Sequence, residues 1–275
     1  MAEKKVAIIG GGIGGLSCAL YLSSRGYSVD LYEKNSDTGG KAAEFQRDGF
    51  RFDMGPSLLT MDFVFKDILK ECGFDPDEYF NFIPLEPLCR YFYPDGTVMD
   101  SSTDRDKFGS ELEDKTEDCK GSLEDYLEYS RRIYELTSRL FLFESLWEPS
   151  TLFKWESVKT LFQLPRIDPF RTMDQANRSF FKDTKNIQLF NRYATYNGPS
   201  PFQVPATLNI IPHVEYNLGG FLPAKGIRNI PDTLEKLCRK SGVRINLNSE
   251  VKSIRTSNKR VKGIEVDNEF LPYGI

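Results

Sequence analysis

Four apolar residues, Val6-Ala7-Ile8-Ile9, run straight into Gly10-Gly11-Gly12-Ile13-Gly14-Gly15, and this junction restricts the fold more than any other part of the chain. A short continuous apolar run reads as a strand buried on both faces of a parallel sheet. The glycines then call for a turn too tight for side chains. From Gly14 to Arg25 the apolar positions Leu16, Ala19, Leu20 and Leu22 recur at helical spacing, and Gly26 stands where a helix ends in positive φ. Val29 to Glu33 reads as a second strand, so the chain opens as a βαβ unit. Its G-x-G-x-x-G pattern provides the tight turn, the close backbone approach to a pyrophosphate and the close packing of helix on strand. Phosphates favour a helix amino end, and a carboxylate ending the second strand accepts hydrogen bonds from ribose hydroxyls. Gly10, Gly12, Ile13, Gly14, Gly15 and Glu33, with Lys34 beside it, are therefore the expected dinucleotide site.

Composition removes several other functions. The 275 residues, enough for about two domains, carry 40 acidic and 36 basic side chains for a net charge of -4, which lacks the positive footprint of a nucleic-acid binder. One histidine, His213, and five cysteines without a C-x-x-C pair leave no metal site and no disulfide scaffold to expect. Scattered cysteines and no evident leader before the first strand suggest a reducing compartment, the cytoplasm. The 17-residue stretch Val6 to Leu22 holds five glycines, so it reads as strand, turn and helix and not as a membrane span.

Further along, residues 40 to 60 read as a glycine- and aromatic-rich loop, Met61 to Cys72 as a helix with Phe65, Ile68 and Leu69 inward, and Leu88 to Met99 as a hairpin about Pro94-Asp95-Gly96. Residues 103 to 121 read as a solvated helix or loop. Leu123, Tyr126, Leu127, Ser130, Ile133, Tyr134, Thr137 and Leu140 mark one face of a long helix. Ile230 to Lys240 is again helical, and Val243 to Val266 forms three short strands turning near Ser257 to Lys259.

A second motif follows Glu33 closely: Asp37-Thr38-Gly39-Gly40-Lys41, then Gly49-Phe50-Arg51-Phe52-Asp53-Met54-Gly55-Pro56. Together with the first glycine loop these resemble the amino-terminal signature of the flavin amine oxidase and phytoene desaturase superfamily. From Lys5 to Val266 the chain resembles the bacterial carotenoid desaturases, with further matches at Tyr93-Pro94-Asp95-Gly96, Tyr126 to Arg132, Arg192 to Tyr196 and Leu208 to Gly226. The run Tyr193 to Tyr216 looks most similar to the 3,4-desaturases acting on hydroxylated carotenoids.

The resemblance implies an α/β fold: a Rossmann-like, three-layer ββα FAD-binding domain (residues 1–87 and 218–275) with an inserted α+β substrate- and membrane-binding domain (residues 88–217), incomplete at the C-terminus. It implies FAD as cofactor, with Gly39, Gly40, Lys41, Gly55, Pro56 and Val251 added to the binding residues. It also implies a dehydrogenase that forms C=C bonds in a carotenoid or other isoprenoid polyene by hydride transfer to flavin, with Glu128 and Arg131 as candidate catalytic residues. An ordinary i,i+3 surface pair is the competing reading of those two. His213 reads as a core or cavity residue bonded to backbone.

A long polyene gains about 0.8 kcal/mol per buried methylene, so the enzyme must draw it from a bilayer. Leu140 to Leu164, with Trp147, Trp155, Phe153, Phe162, Lys154 and Lys159, has the composition of a segment lying in the headgroup boundary. Peripheral membrane association is expected, with a helical pair packed in the substrate domain as its rival. Members of the superfamily are longer and end in a glycine-rich segment that contacts the flavin, and Lys225-Gly226 stands where two glycines are usual. The 275-residue form is therefore expected to retain flavin weakly and to lack full activity. A flavin amine oxidase and an inactive remnant are the alternatives.

Overall fold

The computed structural model describes residues 5–138 and 164–274. Strand β1 (Lys5–Ile9) ends at Gly10, whose φ of +101° turns the chain into helix α1 (Ile13–Ser24). Leu16, Ala19 and Leu20 form the buried face of α1. The helix stops where the Gly26 and Tyr27 amides bond the Ser23 and Leu22 carbonyls, with Gly26 at φ +81°. Strand β2 (Ser28–Tyr32) returns parallel to β1, from Lys5 opposite Ser28 to Ile9 opposite Tyr32. The parallel sheet runs β1-β2 and then β10 (Arg244–Asn246), so β1 is an edge among the described residues and Ile9 is 48% exposed, where burial on both faces was expected.

Residues 40 to 60 are not a loop throughout. Strands β3 (Glu44–Arg47) and β4 (Phe50–Asp53) pair antiparallel around Asp48-Gly49, both at positive φ, as a two-residue hairpin requires. Strand β5 (Leu59–Thr60), helix α2 (Asp62–Glu71) and strand β6 (Phe82–Pro84) follow, and α2 buries Leu69.

The chain divides into two units, 1–83 with 221–275, and 84–220. In the second, β7 (Cys89–Phe92) and β8 (Val98–Ser101) make the expected hairpin. The charged stretch after it is helix α3 (Arg105–Lys115), capped by Asp104, with Phe108 and Leu112 fully buried. Helix α4 (Lys120–Ser138) presents Leu123, Tyr126, Leu127, Ser130 and Ile133 to the core. Helices α5 (Met173–Phe180) and α6 (Thr184–Asn191) complete this core, and a capping box of Thr172 and Gln175 starts α5. Polar groups inside it are paired in a chain: Asn209 donates to Asn177 at 3.0 Å, Asn177 to Asn191 at 2.8 Å, and Asn191 to Asp174 at 2.7 Å.

The chain re-enters the first unit through β9 (Gly220–Pro223), which lies between β5 and β6, and helix α7 (Asn229–Lys240). Strand β10 (Arg244–Asn246) adds to β2 in parallel. Strands β11 (Val251–Ser257), β12 (Arg260–Val266) and β13 (Glu269–Pro272) form an antiparallel sheet; β10, β11 and β12 are the three strands expected between Val243 and Val266, and β13 follows them.

Tyr273, just after β13, ties this sheet to the parallel one. Its hydroxyl donates to Asp30 at 2.6 Å and lies 2.7 Å from the Tyr32 hydroxyl. Burial by itself would raise the Asp30 carboxyl, but hydrogen bonds from Arg244 and Tyr273 outweigh it and hold the group below its usual range. The folded form therefore binds this proton less readily than the unfolded chain. The stability it contributes is full above about pH 4 and is lost as the pH falls through the lower folded value. Tyr273→Phe is expected to cost about 1–2 kcal/mol at pH 7 by urea unfolding. Asp30→Asn should flatten the loss of stability between pH 4 and pH 2; an unchanged acid profile would contradict this assignment.

Candidate functional site

The glycine loop and the end of β2 meet as a built cradle. The Gly10 amide bonds the Tyr32 carbonyl at 2.8 Å, and the Gly11 amide donates to Glu33 Oε2 at 2.7 Å. Glu33 is 7% exposed, and its Oε1 accepts from the Asn35 amide at 2.9 Å and the Asn35 side chain at 2.7 Å. The carboxylate thus fixes the loop as well as offering itself to a ligand, a structural duty the motif alone did not reveal. Three hydrogen bonds leave room for a fourth on its lone pairs.

The glycines divide by what surrounds them. A Cβ at Gly15 would stand 1.9 Å from the Gly10 carbonyl oxygen, so this glycine lets α1 close on β1. A Cβ at Gly14 would meet nothing within 4 Å outside its own helical turn, and one at Gly12 would meet only the Gly40 Cα at 4.0 Å. Helix α1 has no side-chain cap and no acidic residue in its first turn. Its free amides and dipole face an open space lined by backbone.

The second glycine pair closes one side of this space. The Gly39 amide bonds the Gly11 carbonyl at 2.8 Å, and Gly12 bridges Gly39 in parallel fashion. Gly39 and Gly40 take φ of +111° and +57°. What holds the pair in place is Arg228, 8% exposed at the start of α7. Its guanidinium donates to the Thr38 carbonyl at 2.6 Å, to Asp37 at 2.7 Å and to Asp232 at 2.7 Å. Thr38 also donates to Glu235 at 2.6 Å. Neither Arg228 nor Glu235 stood out in the sequence, because a contact 190 residues distant leaves no local pattern.

The other expected residues take defined places. Lys34, Lys41 and Pro56 are exposed. Gly55 approaches the backbone so closely that a Cβ there would lie 1.8 Å from the Lys41 carbonyl oxygen. Val251 begins β11 two residues after Ser249, whose amide bonds the Glu33 carbonyl at 2.9 Å. Gly10, Gly12, Ile13, Gly14, Gly15, Glu33, Gly39 and Gly40 are thus brought together in one unit.

Glu128 and Arg131 lie in the other unit, on the solvent face of α4. Arg131 Nε donates to Glu128 at 2.8 Å, and its guanidinium also pairs with Glu135. Hydrogen bonds with Arg131 hold the Glu128 carboxyl below its usual range. His213 is 6% exposed, its Nδ1 lies 2.6 Å from the Asn217 side chain, and its ring lies 4.6 Å from that of Tyr134. Its ring contact is with a side chain, where backbone was expected, and burial lowers its pKa. The aromatic segment 140–164, apart from Leu164 itself, lies outside the described residues.

The family model described as flavin containing amine oxidoreductase matches residues 13–269. The chain belongs to that family. A 1-hydroxycarotenoid 3,4-desaturase of Flavobacterium sp. (strain P99-3) is 38% identical over 264 residues, 96% of this chain and 54% of the relative. A 4,4'-diapolycopene oxygenase of Methylomonas sp is 33% identical over 274 residues, 99% of this chain and 55% of the relative. The chain therefore spans about half the length of the curated relatives it matches. Among solved structures, putrescine oxidase bound to putrescine superposes with a TM-score of 0.62 at 15% identity, over 99% of this chain and 57% of that one, a likeness of fold. FAD is the cofactor of this flavoprotein chain. The uncapped α1 amino end, the space beside Gly12 and Gly14, and the remaining acceptor capacity of Glu33 fit such a dinucleotide.

Proposed function

We propose that the protein is an FAD-dependent carotenoid desaturase. The observation that carries this reading is the 38% identity to a 1-hydroxycarotenoid 3,4-desaturase, sustained over 96% of the chain, in a molecule whose glycine cradle suits FAD. In this reading Gly12, Ile13, Gly14 and Gly15 offer backbone amides to the pyrophosphate, and Glu33 accepts from the ribose. Gly39, Gly40, Lys41, Gly55, Pro56 and Val251 complete the enclosure. Bound flavin would supply the acceptor for the two electrons taken from a CH–CH bond of the substrate.

Residues 84–220 would take up the polyene. The task of this unit is alignment and exclusion of water more than strong acid or base chemistry. Glu128 and Arg131 would supply fixed charge during hydride loss, and the segment 140–164 would rest on a membrane surface. Among the described residues no helix is long and apolar enough to cross a membrane.

The test is expression of the natural full-length gene product in a host that accumulates an acyclic polyene, followed by pigment analysis. New conjugated double bonds, seen as absorption shifted to longer wavelength, are the expected result. Unchanged polyene alongside oxidation of added amines would replace this reading with an amine oxidase.

A further inference from the structure

His213 is the one histidine of the chain, and it sits on a single π-helical turn, His213–Asn217, closed by the Leu218 amide on the His213 carbonyl at 3.2 Å. Such turns are frequent at functional sites. Two helices hold this one. On the α4 side, the Ser130 hydroxyl accepts from the His213 amide at 2.8 Å, and the Tyr134 ring lies 4.6 Å from the imidazole. On the α3 side, the Phe108 ring stacks on Tyr216 at 5.1 Å, and Arg105, the first residue of the helix, donates to Asn217 Oδ1 at 2.8 Å.

That last bond decides the protonation of the imidazole. A guanidinium can only donate, so the Asn217 oxygen faces Arg105 and the amide nitrogen faces His213. Asn217 Nδ2 lies 2.6 Å from His213 Nδ1 and donates to it. Nδ1 is therefore the bare nitrogen, and Nε2 carries the proton. Arg105, Asn217 and His213 thus form a chain of donors running one way, which closes only on a neutral ring.

A second proton has to enter at Nδ1, the free lone pair of the ring. It would then point at the amide protons of Asn217. The amide answers by turning over, which sets its NH2 group against the Arg105 guanidinium, or by swinging away, and either movement breaks the bond between α3 and the turn. The charged and titratable groups facing the ring among the described residues are Glu128, Arg131, Tyr134 and Glu135 of α4 and Arg105 of α3. Burial, which disfavours the imidazolium, outweighs the opposed carboxylates and guanidiniums, so His213 titrates below its ordinary value. Burial pushes the Tyr134 hydroxyl up, and it stays neutral through that range.

We propose that Arg105, Asn217 and His213 form an acid-released clasp, which holds the π-turn to the start of α3 while the imidazole is neutral and lets it go when Nδ1 is protonated. The closed clasp binds this proton less readily than the open one. Closure is therefore complete above about pH 6.5 and is lost as the pH falls through the lower closed-state value.

The test uses the natural full-length protein with isotopically labelled histidine, the His213 signals being those absent from His213→Gln. At about pH 7.5 the ring nitrogen shifts are expected to show the Nε2–H tautomer, and titration to give a midpoint below about 6.5. Hydrogen exchange of a peptide spanning 213–217 should quicken about tenfold between about pH 7 and pH 5, beyond the change in intrinsic rate. In Asn217→Asp a carboxylate accepts from Arg105 and from the protonated Nδ1 together. The midpoint should then rise above about 6.5, and the acid response of exchange should disappear. His213→Gln should lose that response as well. A tautomer protonated at Nδ1, a wild-type midpoint at or above about 6.5, or exchange that does not quicken in acid would each overturn the proposal. So would an acid response that survives in His213→Gln or Asn217→Asp.

Discussion

Gly15→Ala is expected to lower the stability of the first unit by about 3 kcal/mol or more, while Gly14→Ala, one residue earlier, leaves it folded. The added methyl at Gly15 would stand 1.9 Å from the Gly10 carbonyl oxygen. That oxygen belongs to backbone, held on one side by the Gly10 amide bond to Tyr32, and cannot swing aside like the end of a flexible side chain. Relief requires α1 to move off the sheet, which opens the packing of Leu16, Ala19 and Leu20. A Cβ at Gly14 would meet nothing within 4 Å outside its own helical turn, and alanine is the better helix former. Urea unfolding followed by far-ultraviolet circular dichroism distinguishes the pair. Equal midpoints for the two variants would show that α1 does not lie against β1 as described.

Gly12→Val separates folding from cofactor binding. Gly12 has φ of -71° and ψ of 176°, extended backbone that valine adopts freely, and its Cβ would meet only the Gly40 Cα at 4.0 Å. The protein should therefore fold, with about 1 kcal/mol lost for a poorer residue at the helix start. FAD affinity should fall about 100-fold or more, because the side chain would occupy space beside the free amides of α1, where only a glycine admits a phosphate. Titration with FAD, read by quenching of flavin fluorescence, measures this directly. Wild-type affinity in a folded Gly12→Val protein would place the dinucleotide elsewhere.

The opening βαβ unit was legible because its information is local. An apolar run, a glycine turn and helical spacing lie within 30 residues, and β1, α1 and β2 follow them. Helix α7 was legible for the same reason, as Ile230, Leu234, Leu237 and Cys238 share one face. The hairpin at Asp48-Gly49 was missed even though that dipeptide is a turn signal. Its strands carry Phe45, Phe50 and Phe52 exposed at 45–67%, so no alternation of buried and exposed positions announces them. In the stretch 103–121, the burial of Phe108 and Leu112 was hidden by a surrounding excess of charge.

Within the site, residue types were legible and their partners were not. Glu33 could be chosen as a ribose acceptor from its place after β2, but its bonds to Gly11 and Asn35 depend on how the loop closes. Arg228 and Glu235 clamp Asp37 and Thr38 from a helix near the far end of the chain.

The central claim is that the cradle of Gly10 to Gly15, Glu33 and Gly39-Gly40 holds FAD. The most direct measurement is heat release of the cofactor from the purified natural full-length protein, with identification of the released nucleotide by its absorption spectrum and by mass. One FAD per chain is predicted. Release of a nicotinamide dinucleotide, or a folded protein that takes up no FAD when it is added in excess, would contradict it.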